Sequence, residues 1–571
     1  MRTVTATDHS ADTARRWLQV DPDPDTRAET EALLAGAGNA VQERFGGRLV
    51  FGTAGLRGAL GAGPMRMNRV MVRMTAAAIA RHLLAGNGPN GAPADPETTP
   101  VVVVCFDARH MSDVFAEDTV RVLAARGVAS VLLHGPLPTP VLSFTLRDLG
   151  ADAGIMVTAS HNPRADNGYK VYWSDGAQII SPIDSEISAL IDEAPLPTDN
   201  DLADADSPLI RRAGQEEVLR YIEATASVVQ VDSPRDLSVV YTPLHGVGRD
   251  TLLRVFENAG FNEPLVVPEQ GDPDPDFPTV EYPNPEVPGA LDLAIALASD
   301  TGADIVIAND PDADRLAVAV PDGSSWRTLT GDDVGVLLAD HVLAGGSGHN
   351  RLVATTVVSS RMLESIAAHH GVRHAETLTG FKWIVRPGLL DPSADFVFGY
   401  EEAAGFAVGD LVRDKDGITA ALAFAELTAG EKAAGRTVID RLHDLWQRHG
   451  LHRTGLRTIR FEDPGGASRM AKLMDDLRTS PPEAISGMGV VSVTDLAEPG
   501  SALPSTDAVI FDLDGGRLVV RPSGTEPMLK AYAEVVDTSP GDDLGEVEAA
   551  ATRRLDHLLD GAGLMLTGAV T

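Results

Sequence analysis

From Val101 onward, short β-rich apolar runs alternate with helix-length segments, and this alternation recurs along the chain. Val101–Phe106 reads as a strand, Val114–Arg126 as a helix, Ser130–Leu133 as a strand and Leu142–Leu149 as a helix. Ala153–Val157 then reads as a strand with a polar tip. Leu237–Tyr241 and Ile305–Ala308 read as buried strands of a second such unit, and Leu352–Val358 opens a third. Strands of this length separated by helices are the signature of βαβ units and parallel sheets. The pattern changes beyond about Gly450. There Gly516–Val520 and Leu529–Val536 read as neighbouring strands before a terminal helix, Gly545–Leu559, which is an α+β arrangement.

At roughly 100–200 residues per domain, a chain of this length holds about three to five domains. The texture divides it into four: 1–205, 206–325, 326–450 and 451–571. Upstream of the first unit, Ala11–Glu43 reads as helix broken at Asp21–Asp25. A Gly-rich stretch, Phe51–Gly63, and a helical Met65–Leu84 follow. Asn87–Pro100 is rich in Gly, Pro and Asn and reads as a surface loop. The acidic Asp192–Pro208 reads as a linker, and Pro268–Pro288 as an ordered loop on the second unit.

The formal net charge is −35, which disfavours nucleic acid and anionic lipid as partners. An anionic substrate therefore needs a local nest of Arg and Lys. The single cysteine, Cys105, lies inside an apolar strand, so no intrachain disulfide forms and a buried small hydrophobe is expected. Met1–Ser10 lacks the apolar core of a secretory signal, and no apolar run reaches membrane-spanning length. A cytoplasmic protein is expected.

Three motifs carry chemistry. Thr158-Ala159-Ser160-His161-Asn162-Pro163 directly follows the strand Ala153–Val157. Ligand sites in open α/β sheets lie outside the carboxyl ends of strands, so Ser160 is placed as a candidate nucleophile. The same residues also suit a plain polar turn. A serine hydrolase is disfavoured, because no G-x-S-x-G elbow surrounds Ser160. Asp310-Pro311-Asp312-Ala313-Asp314-Arg315 follows the strand Ile305–Ala308. Carboxylates at alternate positions converge on one face of an extended loop, and oxygen-only ligands suit Mg²⁺. A solvated acidic turn is the alternative. An EF-hand is excluded, because loop position twelve falls on Pro321. Finally, Arg521-Pro522-Ser523-Gly524-Thr525-Glu526-Pro527 sits between two strands. An Arg fork, two hydroxyls and a flexible Gly suit a phosphate cradle, although a tight hairpin turn uses the same residues.

In this order and at these separations, the three motifs resemble the α-D-phosphohexomutase superfamily of phosphoglucomutases and phosphomannomutases. Phe51-Gly52-Thr53-Ala54-Gly55-Leu56-Arg57-Gly58 is similar to the family's N-terminal substrate motif, and Gly399-Tyr400-Glu401-Glu402-Ala403-Ala404-Gly405 to its sugar-specificity loop. The resemblance runs from about Ala11 to near the C-terminus. The N-terminal helix, Thr377–Trp383 and Pro273–Glu286 most resemble the branch of bacterial phosphoglucomutases and phosphopentomutase-like enzymes. It implies a four-domain architecture: three related mixed α/β domains and a C-terminal α+β domain around a central cleft.

The resemblance also implies roles. Ser160 is the phosphorylated carrier and, with Asp310, Asp312 and Asp314, a ligand of Mg²⁺. Arg57 compensates phosphoryl charge, and Lys170 or His161 shuttles the hydroxyl proton. Lys170 is favoured, with its pKa lowered by burial or cationic neighbours. The distal phosphate rests on Arg521, Ser523, Gly524 and Thr525, with Lys415 as a further phosphate contact. Thr53, Thr379, Gly380, Glu401, Ala403 and Arg315 line the substrate. His245 is expected to be structural.

The implied reaction moves a phosphoryl group between two hydroxyls of a hexose phosphate, such as glucose 1-phosphate to glucose 6-phosphate, or mannose phosphates. It passes through a bisphosphate, and glucose 1,6-bisphosphate or an analogue serves as activator. The expected partners are sugar phosphates, and the expected state is a monomer or homodimer. The specificity loop often carries Ser where this chain has Ala403, which leaves open a phosphopentomutase or a sugar-bisphosphate synthase. A non-catalytic sugar-phosphate sensor and a phosphatase are the remaining alternatives.

Overall fold

The computed structural model describes residues 6–36, 39–86, 99–461, 465–498, 500, 503–523, 527–538, 540, 541 and 543–567. They form two compact bodies, Met1–Thr328 with Gly405–Ala429, and Leu329–Ala404 with Gly430–Thr571. The expected loop over 87–98 lies outside the described residues.

In the first body, the N-terminal helical stretch is three helices, Ala6–Trp17, Pro24–Ala35 and Ala40–Phe45. The break falls where Asp23 caps the second helix, its carboxylate accepting from Asp25 N at 2.9 Å with Pro24 in the first turn. A six-stranded sheet follows, in the order Leu56–Ala59, Asp166–Trp173, Ala153–Val157, Val101–Phe106, Ala129–Leu132, Ile210–Arg212. The last four strands are mutually parallel, and the first two join antiparallel. Val102, Val103, Val104 and Cys105 are fully buried, as a strand covered on both faces requires. Burial pushes the Cys105 thiol up to about 12, so it is an inert core residue.

A second, five-stranded sheet runs Ser325–Thr328, Ala317–Asp322, Ile305–Ala308, Val239–Thr242, Leu265–Val266. The segment expected to be a linker is tied down instead. Thr198 and Asp201 form a capping box over a short 3₁₀ turn, and Asp199 pairs with Arg73 at 3.3 Å.

In the second body, Arg373–Thr377, Arg351–Thr356 and Asp395–Glu401 are parallel neighbours. A six-stranded antiparallel sheet runs Leu451–Arg460, Met528–Asp537, Gly516–Pro522, Val509–Leu513, Met488–Asp495, Ala484–Ile485. The terminal helix, Leu544–Thr567, packs on its first two strands. The α+β texture expected beyond Gly450 is thus an antiparallel sheet with helices. Within the segment 326–450, residues 405–429 group with the first body.

Candidate active site

Ile305–Ala308 ends in a turn that gathers three aspartates. Ala313 N donates to the Asp310 carbonyl at 2.8 Å, and Ala313 takes the left-handed conformation with φ 54°. The loop is therefore a tight turn and not the extended segment expected. Chain reversal, rather than strand alternation, brings the carboxylates together. Their ligand atoms lie within 4.8 Å of one another, and all three residues are fully buried. Close backbone packing makes room for the turn. A Cβ on Gly246 would lie 2.4 Å from Pro311 Cα, and one on Gly417 would lie 2.1 Å from the Arg315 carbonyl oxygen.

Ser160 reaches this turn from 150 residues away. Its Oγ donates to Asp310 Oδ2 at 2.7 Å, and its backbone is left-handed with φ 53°. For a non-glycine residue that conformation costs about 1–2 kcal/mol, so something must hold it. Arg109 does so. Its guanidinium donates to the carbonyls of Ser160 at 2.5 Å, Asn162 at 2.6 Å, Pro163 at 2.9 Å and Asp166 at 3.1 Å. Asp107 adds a second brace by accepting from Thr158 Oγ1 at 2.6 Å, and Thr158 Oγ1 in turn accepts from Ser160 N at 2.8 Å. Thr139 donates to Asp312 Oδ2 at 2.6 Å.

Sequence reasoning missed Asp107, Arg109 and Thr139. Asp107 and Arg109 follow the strand Val101–Phe106, the parallel neighbour of the strand before Ser160. The strand-end rule places Asp107 and Arg109 near the site but does not reveal which groups they hold.

Three buried carboxylates need compensation. Lys170 Nζ sits 2.7 Å from Asp312 Oδ2 and 2.8 Å from Asp314 Oδ2, and Lys415 Nζ lies 3.4 Å from Asp314. Burial alone would drive the Asp312 carboxyl up, but the Lys170 ammonium outweighs it and holds Asp312 far below the usual range. Among the described residues, Asp310 has no lysine at contact distance, only Arg315 with Nε at 3.9 Å. Burial, and then repulsion from Asp312 and Asp314, push it well above its ordinary value. Burial opposes the Lys170 charge, but Asp312 and Asp314 prevail and its pKa rises. The lowered pKa expected of Lys170 is thus not found, because its neighbours are anions. Burial, with Arg315 and Arg57 nearby, holds His161 well below 6.5, so the imidazole is neutral at neutral pH.

Arg57 lies on the strand Leu56–Ala59 opposite Gly168 and donates to Asn162 Oδ1 at 3.1 Å. Thr53 is in the turn just before that strand. Arg315 places Nε 3.9 Å from Asp310 and donates to Glu286 at 3.2 Å. The Asp414 carboxylate beside Lys415 is held by Tyr172 Oη at 2.7 Å and by Gln178 at 2.9 Å. His245 is bonded within its own fold, Nε2 to Thr279 Oγ1 at 2.8 Å.

Asp312 Oδ1 and Asp314 Oδ1 are buried without a hydrogen-bond partner. Orphaned carboxylate oxygens on an all-oxygen donor set fit a hard divalent cation.

In the second body, Arg351–Thr356, Arg373–Thr377 and Asp395–Glu401 are parallel, so their carboxyl ends share one edge. That edge carries Ser359, Thr379, Gly380, Glu401 and Ala403. Gly380 has φ 103°, a conformation that favours glycine. The Glu402 carboxyl accepts from Ser359 Oγ at 3.0 Å and Thr356 Oγ1 at 3.3 Å. Burial, then repulsion from Glu401 and Asp332, push it up to about 8. Arg521 ends the strand Gly516–Pro522. The Tyr532 hydroxyl hydrogen-bonds Arg521, and burial and Glu402 raise it to about 12. Ser523 N closes the hairpin onto the Met528 carbonyl at 2.8 Å. Gly524 and Thr525 lie outside the described residues.

An α/β chain that sets a strained serine hydroxyl on a buried carboxylate triad, ringed by Arg and Lys, has the equipment of a phosphotransferase. Comparison with known proteins narrows that class. Residues 48–197, 219–323 and 330–449 match phosphoglucomutase/phosphomannomutase alpha/beta/alpha domains I, II and III, and 459–551 match the C-terminal domain of the same family. The chain belongs to the phosphoglucomutase/phosphomannomutase family and is an isomerase of the phosphotransferase kind. It is 42% identical to a probable phosphomannomutase of Haemophilus influenzae, over 84% of this chain and 95% of that protein. It is 35% identical to a phosphopentomutase of Homo sapiens, over 91% and 90%. A putative phosphomannomutase from Thermus thermophilus, at 23% identity, shares the fold with a TM-score of 0.69 over 91% of this chain and 99% of that one. Among the described residues no helix is long and apolar enough to cross a membrane.

Proposed function

We propose that this chain interconverts hexose 1-phosphates and hexose 6-phosphates, with Ser160 as phosphoryl carrier. The 2.7 Å contact of Ser160 Oγ with Asp310 carries this reading, because it joins two motifs that family members use together. Asp310, Asp312, Asp314 and a phosphoserine oxygen would hold Mg²⁺. When bound, it supplies positive charge that stabilises the phosphoryl oxygens.

In the first transfer, the free hydroxyl of the sugar phosphate forms a bond to phosphorus as the Ser160 Oγ–P bond breaks. The hydroxyl loses a proton and the Ser160 oxygen gains one, so the step is balanced. His161, neutral and beside Ser160, is suited to receive the proton. Lys170, charged, is suited to hold the triad and donate. Arg57 compensates charge on the moving group. The bisphosphate turns and returns its other phosphoryl to Ser160, which explains a bisphosphate such as glucose 1,6-bisphosphate as activator. Arg521, Ser523, Gly524 and Thr525 anchor the distal phosphate, with Lys415 as a further phosphate contact. Glu401, with Thr53, Thr379, Gly380, Ala403 and Arg315, reads the sugar. Sugar phosphates are held behind cell membranes, so the reading places the protein in the cytoplasm, as a monomer or homodimer.

Peptide mass spectrometry should find phosphate on Ser160. Ser160→Ala should cut mutase turnover by more than about a thousandfold with the fold intact. Near-normal turnover would end this reading. Ala403, which offers no hydroxyl, favours a second reading in which pentose phosphates are also accepted. Side-by-side kinetics on glucose 1-phosphate, mannose 1-phosphate and ribose 1-phosphate decide between them.

A further inference from the structure

On the hairpin of Gly516–Pro522 and Met528–Asp537, Arg517 stands opposite Glu534, Val519 opposite Tyr532, and Arg521 opposite Lys530. Side chains alternate along a strand, so Arg517, Val519 and Arg521 share one face. At one end of that face, buried Arg517 donates to the Ser359 carbonyl at 2.9 Å and to Glu376 Oε1 at 2.6 Å. Its partner Glu534 accepts from Ser360 Oγ at 3.1 Å, and from Arg361 N and Nε at 2.9 Å each. In the middle, Val519 and Tyr532 pack with Val357, Val358 and Leu378. At the other end, four residues and about 13 Å from Arg517 by strand rise, stands Arg521.

The clamp and the sugar-specificity loop share a residue. Ser359, held by Arg517 through its carbonyl, holds Glu402 through its hydroxyl, which also accepts from Glu402 N at 3.2 Å. Asp332 makes a second tie. It accepts from Ser360 N at 2.7 Å, from the Tyr400 hydroxyl at 2.9 Å and from Thr454 Oγ1 at 2.6 Å, joining the residue before Glu401 to the antiparallel sheet.

We propose that Arg517 and Glu534 are positioning residues that fix the spacing between Glu401–Ala403 and Arg521, and so set the length of sugar the protein accepts. This rests on the reading of those two loops given above. Two groups on one braced unit bind the two ends of a ligand together only when its length matches their separation. A misplacement of about 1 Å is costly in turnover. A clamp that merely stabilised the fold would lower Tm and scale every substrate alike.

The test uses the full chain with Mg²⁺, measuring kcat and KM for glucose 1-phosphate and ribose 1-phosphate in Arg517→Gln and in the milder Thr454→Val. The expected result is a hexose-to-pentose kcat/KM ratio that moves toward one by about threefold or more in Arg517→Gln, chiefly through KM. Thr454→Val should move it the same way by less. A ratio unchanged in both variants, with Tm lowered, overturns the proposal. Arg521→Lys is run alongside. If it leaves KM for both sugars untouched, the reading of the phosphate loop fails and this inference with it. If it raises both while Arg517→Gln leaves the ratio fixed, only the positioning role fails.

Discussion

Asp312 in the first body and Asp332 in the second are both buried carboxyls with hydrogen-bond donors around them, yet they shift in opposite directions. Asp312 is held far below its ordinary value because the Lys170 ammonium overcomes burial. Asp332 meets only neutral donors, from Thr454, Ser360 N and Tyr400, and burial leaves it at about 6. Glu534 shows that the rule belongs to the partner and not to the body. Burial pushes it up, but His452, Arg517 and Arg361 bring it down to about 2. A cation at contact distance decides whether a buried acid keeps its charge. The first body stores charge beside Ser160, as phosphoryl chemistry needs. In the sugar-specificity loop of the second, burial with Glu401 and Asp332 nearby favours a neutral Glu402.

Removing charge from the two centres should therefore have unequal effects. Asp312→Asn takes away a ligand candidate and the partner of Lys170, and is expected to lower turnover by at least about a hundredfold. EDTA should silence the wild type and Mg²⁺ restore it. Activity that survives both exhaustive chelation and Asp312→Asn would remove the metal from the proposal. Arg521→Lys keeps the charge and loses the fork. A tenfold to hundredfold drop, roughly 1.5–3 kcal/mol, is expected with every sugar phosphate tried. A loss confined to one sugar would move Arg521 from the phosphate to the ring.

The contrast also explains what the sequence made legible. Ser160, Asp310, Asp312 and Asp314 lie in contiguous motifs at the ends of strands whose apolar runs are unmistakable. The apolar runs Ala153–Val157 and Ile305–Ala308 coincide with the observed strands. The braces were not legible. Arg109 acts through four backbone carbonyls supplied by a turn more than fifty residues away. Nothing local distinguishes an arginine that donates to carbonyls from one on the surface. Lys170 was misjudged for a related reason. Its shift depends on Asp312 and Asp314, which meet it only through the tertiary fold. The grouping of 405–429 with the first body is equally silent, because the helix Gly417–Ala433 is mostly apolar on every side and its pattern names no partner.

Within the second body, Ala403→Ser offers a smaller and more selective change. A neutral hydrogen bond is worth about 0.5–1.5 kcal/mol, so discrimination among hexose and pentose phosphates should sharpen by up to roughly tenfold. The wild type should show a modest preference for glucose 1-phosphate. Wild-type discrimination above about a thousandfold would place specificity in other residues.

The smallest expected effect is on stability. Glu402 is ordinary at 4.5 in a solvated chain and is raised to about 8 in the folded protein by burial, Glu401 and Asp332. Between those values the unfolded chain has released the proton and the folded chain retains it. Proton binding then favours the folded state less as pH rises. The contribution is fully present below about 4.5 and is lost as pH climbs through 8, the reverse of Asp312, whose contribution disappears in acid. Wild-type Tm should therefore be higher at pH 6 than at pH 8.5, by about 3 °C or more from this group. Glu402→Gln keeps the shape and cannot ionise, so it should flatten that slope while leaving the acid limb set by the first body unchanged. Differential scanning calorimetry of the two proteins across this range is the measurement. Equal slopes would mean that Glu402 is ionised in the folded protein, and the neutral state assigned to it would be lost.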